Sequence, residues 1–482
     1  MVAAWAEQEV ESVDFGDERL DARVAIVLSD LGNRPNLSIP AACKGRAEMQ
    51  AAYRFFDNDK VSFENVLAPH VQQSLGRMAG HKTVLLVQDS SEIDLTRPQQ
   101  EVAGAGRLDQ SRRGILLHVL HGFTPDGTPL GTAWAQCQNR TGEKVKETAA
   151  QREKRLKRTP IEDKESMRWL EGLRQTRAIA RQLPQVQFIC VGDSEADIYE
   201  LLAEPRGEPA GPQADWLIRA CQDRALDAKA HEQHRHLIEE VSAKAVLYEV
   251  ELLVRGRKAK VAVDKRGRRQ PRETRRATVQ VRAATVTLRA PWREDRKLPA
   301  ATVNVVLVRE LNPPAGQSPV QWILLTTLPI GTLEEVRRVV EYYCVRWNIE
   351  ILFRTLKSGC RIERRRFEHV DRISRCLGLY LIVAWRTVWV CRMGRESPDA
   401  DCELLFEPSE WKAVWTAVHR KTPPKKKPRL GEMVGLVAQL GGYLKRPNSQ
   451  PGPQTVWIAL QRMYDLAWAW DAFGPQTKIR DR

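Results

Sequence analysis

The chain has 482 residues, 42% hydrophobic and 28% charged, with a formal charge of +15 at pH 7. That length supports two or three domains with a sizeable core, and the charge favours a polyanionic partner. No apolar run reaches the roughly 18–20 residues of a spanning helix, and MVAAWAEQEVESVDFGDERL lacks a leader pattern, so a membrane is the weaker partner and nucleic acid the stronger. Nine cysteines, an odd number, run from Cys43 to Cys402 without a CxxC pair. They argue against a disulfide framework or zinc ribbon and for reduced thiols in the cytoplasm.

Residues 1–66 read as a small helical domain. FGDERLDARVAIVLSDLG carries an apolar stripe through Leu20, Val24, Val27, Leu28 and Leu31, and RAEMQAAYRFFDND is a second amphipathic piece. Such helices suit DNA docking, and ordinary helix packing explains their apolar residues equally well. TVLLVQD (83–89) reads as a short strand ending in a carboxylate. ILLHVLHGFT and PLGTAWAQC, separated by PDG, read as a hairpin. MRWLEGLRQTRAIARQL is helical, VQFICVGD (186–193) is a second strand ending in a carboxylate, EADIYELLAE starts a helix, and DWLIRA (215–220) is a further strand.

From 245 to 310 the pattern alternates with period two in VLYEVELLV, KAKVAVD, TVQVRAATVTLRA and TVNVVLV. This predicts antiparallel strands distinct in character from the α/β part. Between Arg255 and Lys297 sixteen Lys or Arg face four Asp or Glu, a net of +12. Edge protection alone needs fewer cations, so the segment reads as a phosphate-backbone surface. HEQHRH, with His231, His234 and His236, lacks partner ligands at a recognisable spacing and reads as an exposed polar stretch. WILLTT is a strand, and GTLEEVRRVVEYYCVRWNIEILFRTLKSG predicts one long helix stopped by Gly359. Residues 371–393 form a second, very apolar helix, and PPKKKPR (423–429) reads as a solvated hinge. The helical tail exposes Trp457, Trp468 and Trp470, which points to a dimer contact.

The run Tyr343–Lys357 concentrates the chemistry. Tyr343, Arg346, Glu350 and Lys357 stand at offsets of three, four and seven, on neighbouring turns of a helix. A carboxylate ligates a hard divalent cation, Arg and Lys hold non-bridging phosphate oxygens, and Tyr orients a phosphate or water. The apolar residues around them leave little polar surface, and charges on a mostly buried helix need a reason. Asp89 and Asp193 supply two further carboxylates at strand ends, where α/β active sites form. Three carboxylates together require neutralising cations, and oxygen-only ligation favours Mg²⁺, with Mn²⁺ as substitute, in a pair that drives in-line displacement.

On these residues the chain resembles the bacterial cut-and-paste DDE transposases of the insertion-sequence-four family. The resemblance rests on Asp89 in QDSS, Asp193 in GDSEADIYELL, and Tyr343-x2-Arg346-x3-Glu350-x6-Lys357. It extends through FGDERLDAR, MQAAYRFF, DKRGRR, ELNPPAGQSPVQWILLT and LGEMVGLVAQLGGYL, nearly the whole chain. It implies an α/β, ribonuclease-H-like catalytic core at 67–385 with an antiparallel β insertion at about 245–320. A helical DNA-binding domain at 1–66 and a helical dimerisation domain at 386–482 flank it. It further implies a synaptic homodimer on double-stranded transposon ends and target DNA, acting at the bacterial nucleoid. Asp89, Asp193 and Glu350 would be catalytic ligands of two Mg²⁺ ions. Tyr343, Arg346, Lys357 and Arg219 would contact phosphates, and Trp322 and Trp347 would stack on or brace a flipped base.

Ser90 and Ser91 depart from the family's threonines, and Ser194 stands where an Arg is expected, which puts phosphate contacts beside Asp193 in question. Met49 is placed as an internal start for a truncated inhibitor. Two other functions compete: a non-catalytic transposase-derived repressor, and a ribonuclease-H-like nuclease that cleaves without joining.

Overall fold

The computed structural model describes all residues except 1, 44, 98–99, 141–146, 206–213, 234, 255–272, 316, 318, 446–448 and 476–482. The chain divides into two compact units, one formed by Met1–Glu143 with Trp347–Arg482 and the other by Lys144–Arg346.

In the first unit, helix Glu18–Asn33 is capped by Asp17, whose side chain accepts from Arg19 N–H, and it buries Val24, Val27, Leu28 and Leu31. Helix Phe63–Ala79 opens with a Ser62–Asn65 capping box and runs across residue 66, where the sequence pattern places a domain edge. The reason is a buried polar cluster. Glu9 on the first helix meets His70 Nδ1 at 2.5 Å and Arg77 Nη1 at 2.7 Å, and His70 Nε2 accepts Thr132 N–H at 3.1 Å. An ionised carboxylate removed from water requires such partners, and they tie the first helix to Phe63–Ala79 and to the strand that carries Thr132.

Strand β1 (Thr83–Asp94) is 12 residues long, so Asp89 lies inside the strand rather than at its end. Its pairing with β3 continues past Asp89 through Asp94↔Gly114, and Ile93 is buried on the same face as Asp89. Strand β2 (Gly106–Arg107) and the hairpin of β3 (Arg113–Phe123) and β4 (Pro129–Gln138) complete this part of the sheet, β3 pairing antiparallel with β1, β2 and β4. The hairpin turn uses Gly127 at φ 93°, where a side chain would be strained.

Helix Val370–Glu396 spans 27 residues and is long and apolar enough, by length and composition, to cross a membrane, contrary to the expectation that no segment of the chain is. Its apolar window is 83% buried inside the protein, as a core helix requires. The helix also crosses the 385/386 boundary. Its C-terminal end shares a core with helices Pro408–His419, Leu430–Leu440 and Pro453–Phe473, through Val390, Trp411, Met433, Val437 and Met463. Of the tail tryptophans, Trp468 is 63% exposed, whereas Trp457 and Trp470 are half-buried and Trp457 packs against Gly359.

In the second unit, β5 (Gln187–Gly192) and β6 (Asp215–Arg219) run parallel. Strands β7 (Tyr248–Val254), β8 (Arg275–Leu288), β9 (Ala301–Glu310) and β10 (Gln321–Thr326) extend the sheet in the order β5-β6-β10-β9-β8-β7. The inserted strands are therefore continuous with the core strands rather than a separate subdomain, because β10 pairs antiparallel with β6 on one side and β9 on the other. The helix expected after Asp193 shrinks to a 3₁₀ turn, Ser194–Ala196, and a four-residue helix, Tyr199–Leu202. Between them the buried Asp197 carboxylate accepts Cys221 N–H at 2.8 Å and Arg224 Nε–H at 2.9 Å.

KAKVAVD, DKRGRR and nine of the sixteen cations counted between Arg255 and Lys297 lie outside the described residues. Four of the six described arginines of that segment face the protein's own carboxylates: Arg275 pairs with Glu310, Arg276 with Glu251, Arg293 with Glu200 and Arg296 with Glu162. These pairs reduce the phosphate surface that the charge count predicts. In HEQHRH, His234 is outside the described residues, while His231 Nε2 accepts Thr287 N–H at 3.0 Å and His236 Nδ1 lies 3.3 Å from Asp223 O. Both are structural contacts. All nine cysteines are free thiols.

Candidate active site

The predicted site residues fall in both units. Asp89 and Glu350 belong to the first, with Lys357 and Trp347. Asp193, Arg219, Trp322, Tyr343 and Arg346 belong to the second. The run Tyr343–Lys357 is not the single regular helix its spacing predicts. Helix Leu333–Val345 ends, Arg346 and Trp347 keep helical dihedrals without continuing its hydrogen bonds, helix Asn348–Arg354 comes next, and Thr355–Gly359 forms a π-helical turn. Here Arg346 N–H and Glu350 N–H bond three residues back, to Tyr343 O and Trp347 O. Irregular turns of this kind recur at functional sites.

In the first unit, Asp89 Oδ1 accepts its neighbour's Ser90 N–H at 2.7 Å. Ser90 lies opposite His118 in the β1–β3 register. Ser90 Oγ is 2.8 Å from His118 Nδ1, and His118 Nε2 is 3.1 Å from Gln88 Oε1. Alternation puts Gln88 and Ser90 on one face of β1 and Asp89 on the other. The serine that departs from the family pattern is thus part of a side-chain chain bracing the strand beneath the carboxylate. Helix Asn348–Arg354, which carries Glu350, packs against β1. Lys357 Nζ donates to Glu92 O at 2.7 Å and pairs with Glu363 Oε1 at 3.1 Å. Glu363 also accepts Asp94 N–H at 3.1 Å, so the lysine is anchored to the end of β1. Trp347 is 41% exposed, a surface available for stacking.

In the second unit, Asp193 follows β5 in an extended conformation and caps the next turn, accepting Glu195 N–H at 2.7 Å. Arg219, the last residue of β6, donates from Nη2 to Ser194 Oγ at 3.1 Å. A guanidinium from β6 therefore stands at Ser194, the residue after Asp193. Trp322 on β10 meets Tyr343 edge-to-face, with ring centroids 5.4 Å apart. Arg346 Cζ lies 6.0 Å from the centre of the same ring. Tyr343 is buried, and among the described residues its hydroxyl has no hydrogen-bond partner of good geometry. Burial pushes its pKa up, the charges of Arg219 and Arg346 pull it down, Asp193 pushes it up and a hydrogen bond from Arg346 lowers it, with a net rise. Tyr343 thus stays a neutral O–H donor at physiological pH.

Sequence reasoning did not find the roles of His118, Glu363, Ser194 and Asp197. Their signal is weak, since His118 and Glu363 act only across elements distant in sequence. Asp197 had one local cue, the four-residue spacing from Asp193. Among the described residues no three Asp, Glu, His or Cys side chains are gathered to hold a metal ion. The candidate donors Asp89, Asp193 and Glu350 are all oxygen ligands, a set whose chemistry suits a hard divalent cation.

Residues 2–61 match the family model described as Transposase DNA-binding, residues 170–386 the Transposase DDE domain, and residues 382–468 the Transposase Tn5 dimerisation domain. The chain belongs to the Tn5-like DDE transposases. That assignment is consistent with the insertion-sequence-four family and carries with it a ribonuclease-H-like core. The transposase accordingly joins DNA-binding and dimerisation modules to a nuclease domain of a family that uses divalent metal ions. The DDE match spans Asp193, Arg219, Trp322 and the run Tyr343–Lys357, whereas Asp89 precedes it.

Proposed function

We propose that this transposase performs cut-and-paste transposition. Hydrolysis nicks one strand at the transposon end, the freed 3′-hydroxyl attacks the opposite strand to form a hairpin, water reopens the hairpin, and the 3′ ends join target DNA. Each step is an in-line displacement at phosphorus, so one site serves all four.

In this reading Asp89, Asp193 and Glu350 are the ligands of two Mg²⁺ ions, replaceable by Mn²⁺. The metal pair supplies Lewis-acid stabilisation and an activated nucleophile when bound. Arg219, Arg346 and Lys357 hold non-bridging oxygens, Tyr343 donates its hydroxyl to a phosphate oxygen, and Trp322 and Trp347 brace an unstacked base. The active form is a homodimer that pairs two transposon ends, working on the bacterial nucleoid in the cytoplasm. Residues 1–66 hold the ends, 67–385 cut and join them, and 386–482 pair the subunits.

The observation that supports the reading most is the Tyr343 hydroxyl, buried beside Asp193 and under the charge of Arg219 and Arg346, whose O–H has no acceptor among the described residues. A buried donor left unsatisfied costs about 1–3 kcal/mol, and a phosphate oxygen would satisfy it. Glu350→Ala tests the assignment on duplex bearing the element's own ends. Binding should persist while Mg²⁺-dependent nicking disappears, and unchanged nicking would remove Glu350 from the site. Covalent joining of element ends to a target plasmid separates the transposase from a nuclease that only cleaves.

A further inference from the structure

The run His419–Arg429, whose lysines and prolines read as a solvated hinge, sits on a fixed frame. Helix Pro408–His419 ends at Arg420, which adopts the left-handed conformation at φ 53°. At the other end Lys427 Nζ lies 2.8 Å from Asp401 Oδ2 and 2.6 Å from Glu403 Oε2. Arg429 bridges to Asp401 along the backbone, and Leu430 N–H donates to Ala400 O at 2.8 Å. Pro423 and Pro424 restrict the span between these anchors.

Held this way, Arg420, Lys421, Lys425 and Lys426 are exposed, and among the described residues none of the four has an ion-pair partner. The run contains six Lys or Arg, no Asp or Glu, and no Asn or Gln. In the described part of the basic β segment, by contrast, four of the seven cations, Arg275, Arg276, Arg293 and Arg296, are each matched to a carboxylate of the same chain. Four like charges on a clamped loop repel one another, and a polyanion relieves that repulsion. Lysines serve phosphates as point charges, and without amide side chains the loop lacks the usual pairing groups for adenine.

We propose that this loop is a second DNA contact, which grips the phosphate backbone of duplex without reading sequence. It lies within the stretch matched to the dimerisation domain, outside the stretch matched to DNA binding.

The test uses full-length protein and a duplex of random sequence that lacks the element's ends. Affinity is measured across a salt series for the wild type and for Arg420→Gln, Lys421→Gln, Lys425→Gln and Lys426→Gln combined. Each neutralised phosphate contributes about 0.9 to the slope of log affinity against log salt, so the combined variant, with four charges removed, should lose up to about 3.6 from that slope. Because all four side chains are exposed, its thermal midpoint should stay within about 2 °C of the wild type. A second variant that keeps the charges, Lys421→Arg with Lys425→Arg and Lys426→Arg, should retain the wild-type slope. An unchanged slope in the glutamine variant overturns the proposal. So does an unchanged slope with a weakened dimer, which would make the loop a protein contact, and so does loss of slope in the charge-retaining variant.

Discussion

Lys357 and Tyr343 belong to one sequence signature, but their surroundings differ. The lysine has protein acceptors, Glu92 O at 2.7 Å and Glu363 Oε1 at 3.1 Å, which aim it along the end of β1. The tyrosine hydroxyl is buried beside Trp322, Arg219 and Arg346, and its O–H has no acceptor among the described residues. One end of the signature thus has its acceptors in the free protein, whereas the other leaves an O–H donor open. Residue spacing could not distinguish these states, since both residues are placed by the same helical period.

The carboxylates test whether that contrast belongs to one reaction. Asp89→Asn and Asp193→Asn should each lower nicking by at least about 10³-fold, the several kcal/mol that metal stabilisation supplies, with end binding unchanged in a gel-shift titration. Asp89 is the sharper case, because it lies outside the stretch matched to the DDE domain. If Asp89→Asn nicks normally, the third ligand is another residue.

Two helices, one in each unit, should also respond to pH with opposite sign. In the first, burial pushes Glu410 up from 4.5 to about 7, against the opposing backbone N–H of Glu407 and the charge of Arg386, with Glu407 and Asp471 adding to the rise. A raised folded-state pKa means the folded form holds the proton more tightly. That contribution is complete below about pH 4.5 and is lost as pH climbs through 7, by up to about 3 kcal/mol. In the second unit burial pushes Glu200 up, but hydrogen bonds from Arg293 outweigh it and leave the carboxyl below its ordinary value. Its contribution is present above about pH 4.5 and is lost as pH falls. Hydrogen exchange, corrected for intrinsic rate, should show helix Pro408–His419 loosening from pH 5 to 8, and Glu410→Gln should flatten that trend. Helix Tyr199–Leu202 should loosen only toward acid.

Smaller effects sharpen the lysine–tyrosine contrast. Lys357→Met removes a charge-assisted phosphate contact, an expected loss of about 30-fold in nicking. It should also raise exchange at Glu92–Asp94, because the anchor to β1 goes with it. Tyr343→Phe should lower nicking by about 10-fold while raising stability by about 1 kcal/mol, since it removes an unsatisfied buried hydroxyl. Calorimetry and single-turnover nicking on the same protein read both changes. A stability loss would mean that the hydroxyl already has a partner.

Much of this is legible in the sequence, for local reasons. Period-two alternation predicts β7, β8 and β9, the Pro-Asp-Gly turn predicts the β3–β4 hairpin, and the strand before Asp193 ends where the pattern ends. The features that escape it depend on contacts distant in sequence. The 12-residue length of β1 is set by its pairing with β3, so Asp89 looks terminal when only its apolar run is counted. The interruption at Arg346–Trp347 leaves the period of the side chains intact, which is why the run reads as one helix. Helix Val370–Glu396 reads as an ordinary apolar helix because its burial comes from partners on every side. The net charge between Arg255 and Lys297 overstates the described phosphate surface, because a count of cations does not show Glu200, Glu251 and Glu310 opposite them. Conversely, 423–429 reads as a hinge because Asp401 and Glu403, which hold Lys427, lie more than twenty residues earlier.

The most direct test of the central claim is protein cleavage by Fe²⁺ substituted for Mg²⁺ in the DNA-bound transposase, with ascorbate and peroxide generating hydroxyl radicals at the bound ion. The account predicts backbone cuts near all three of Asp89, Asp193 and Glu350, suppressed by excess Mg²⁺. Cuts near only one of them, or a pattern that Mg²⁺ does not suppress, would contradict it.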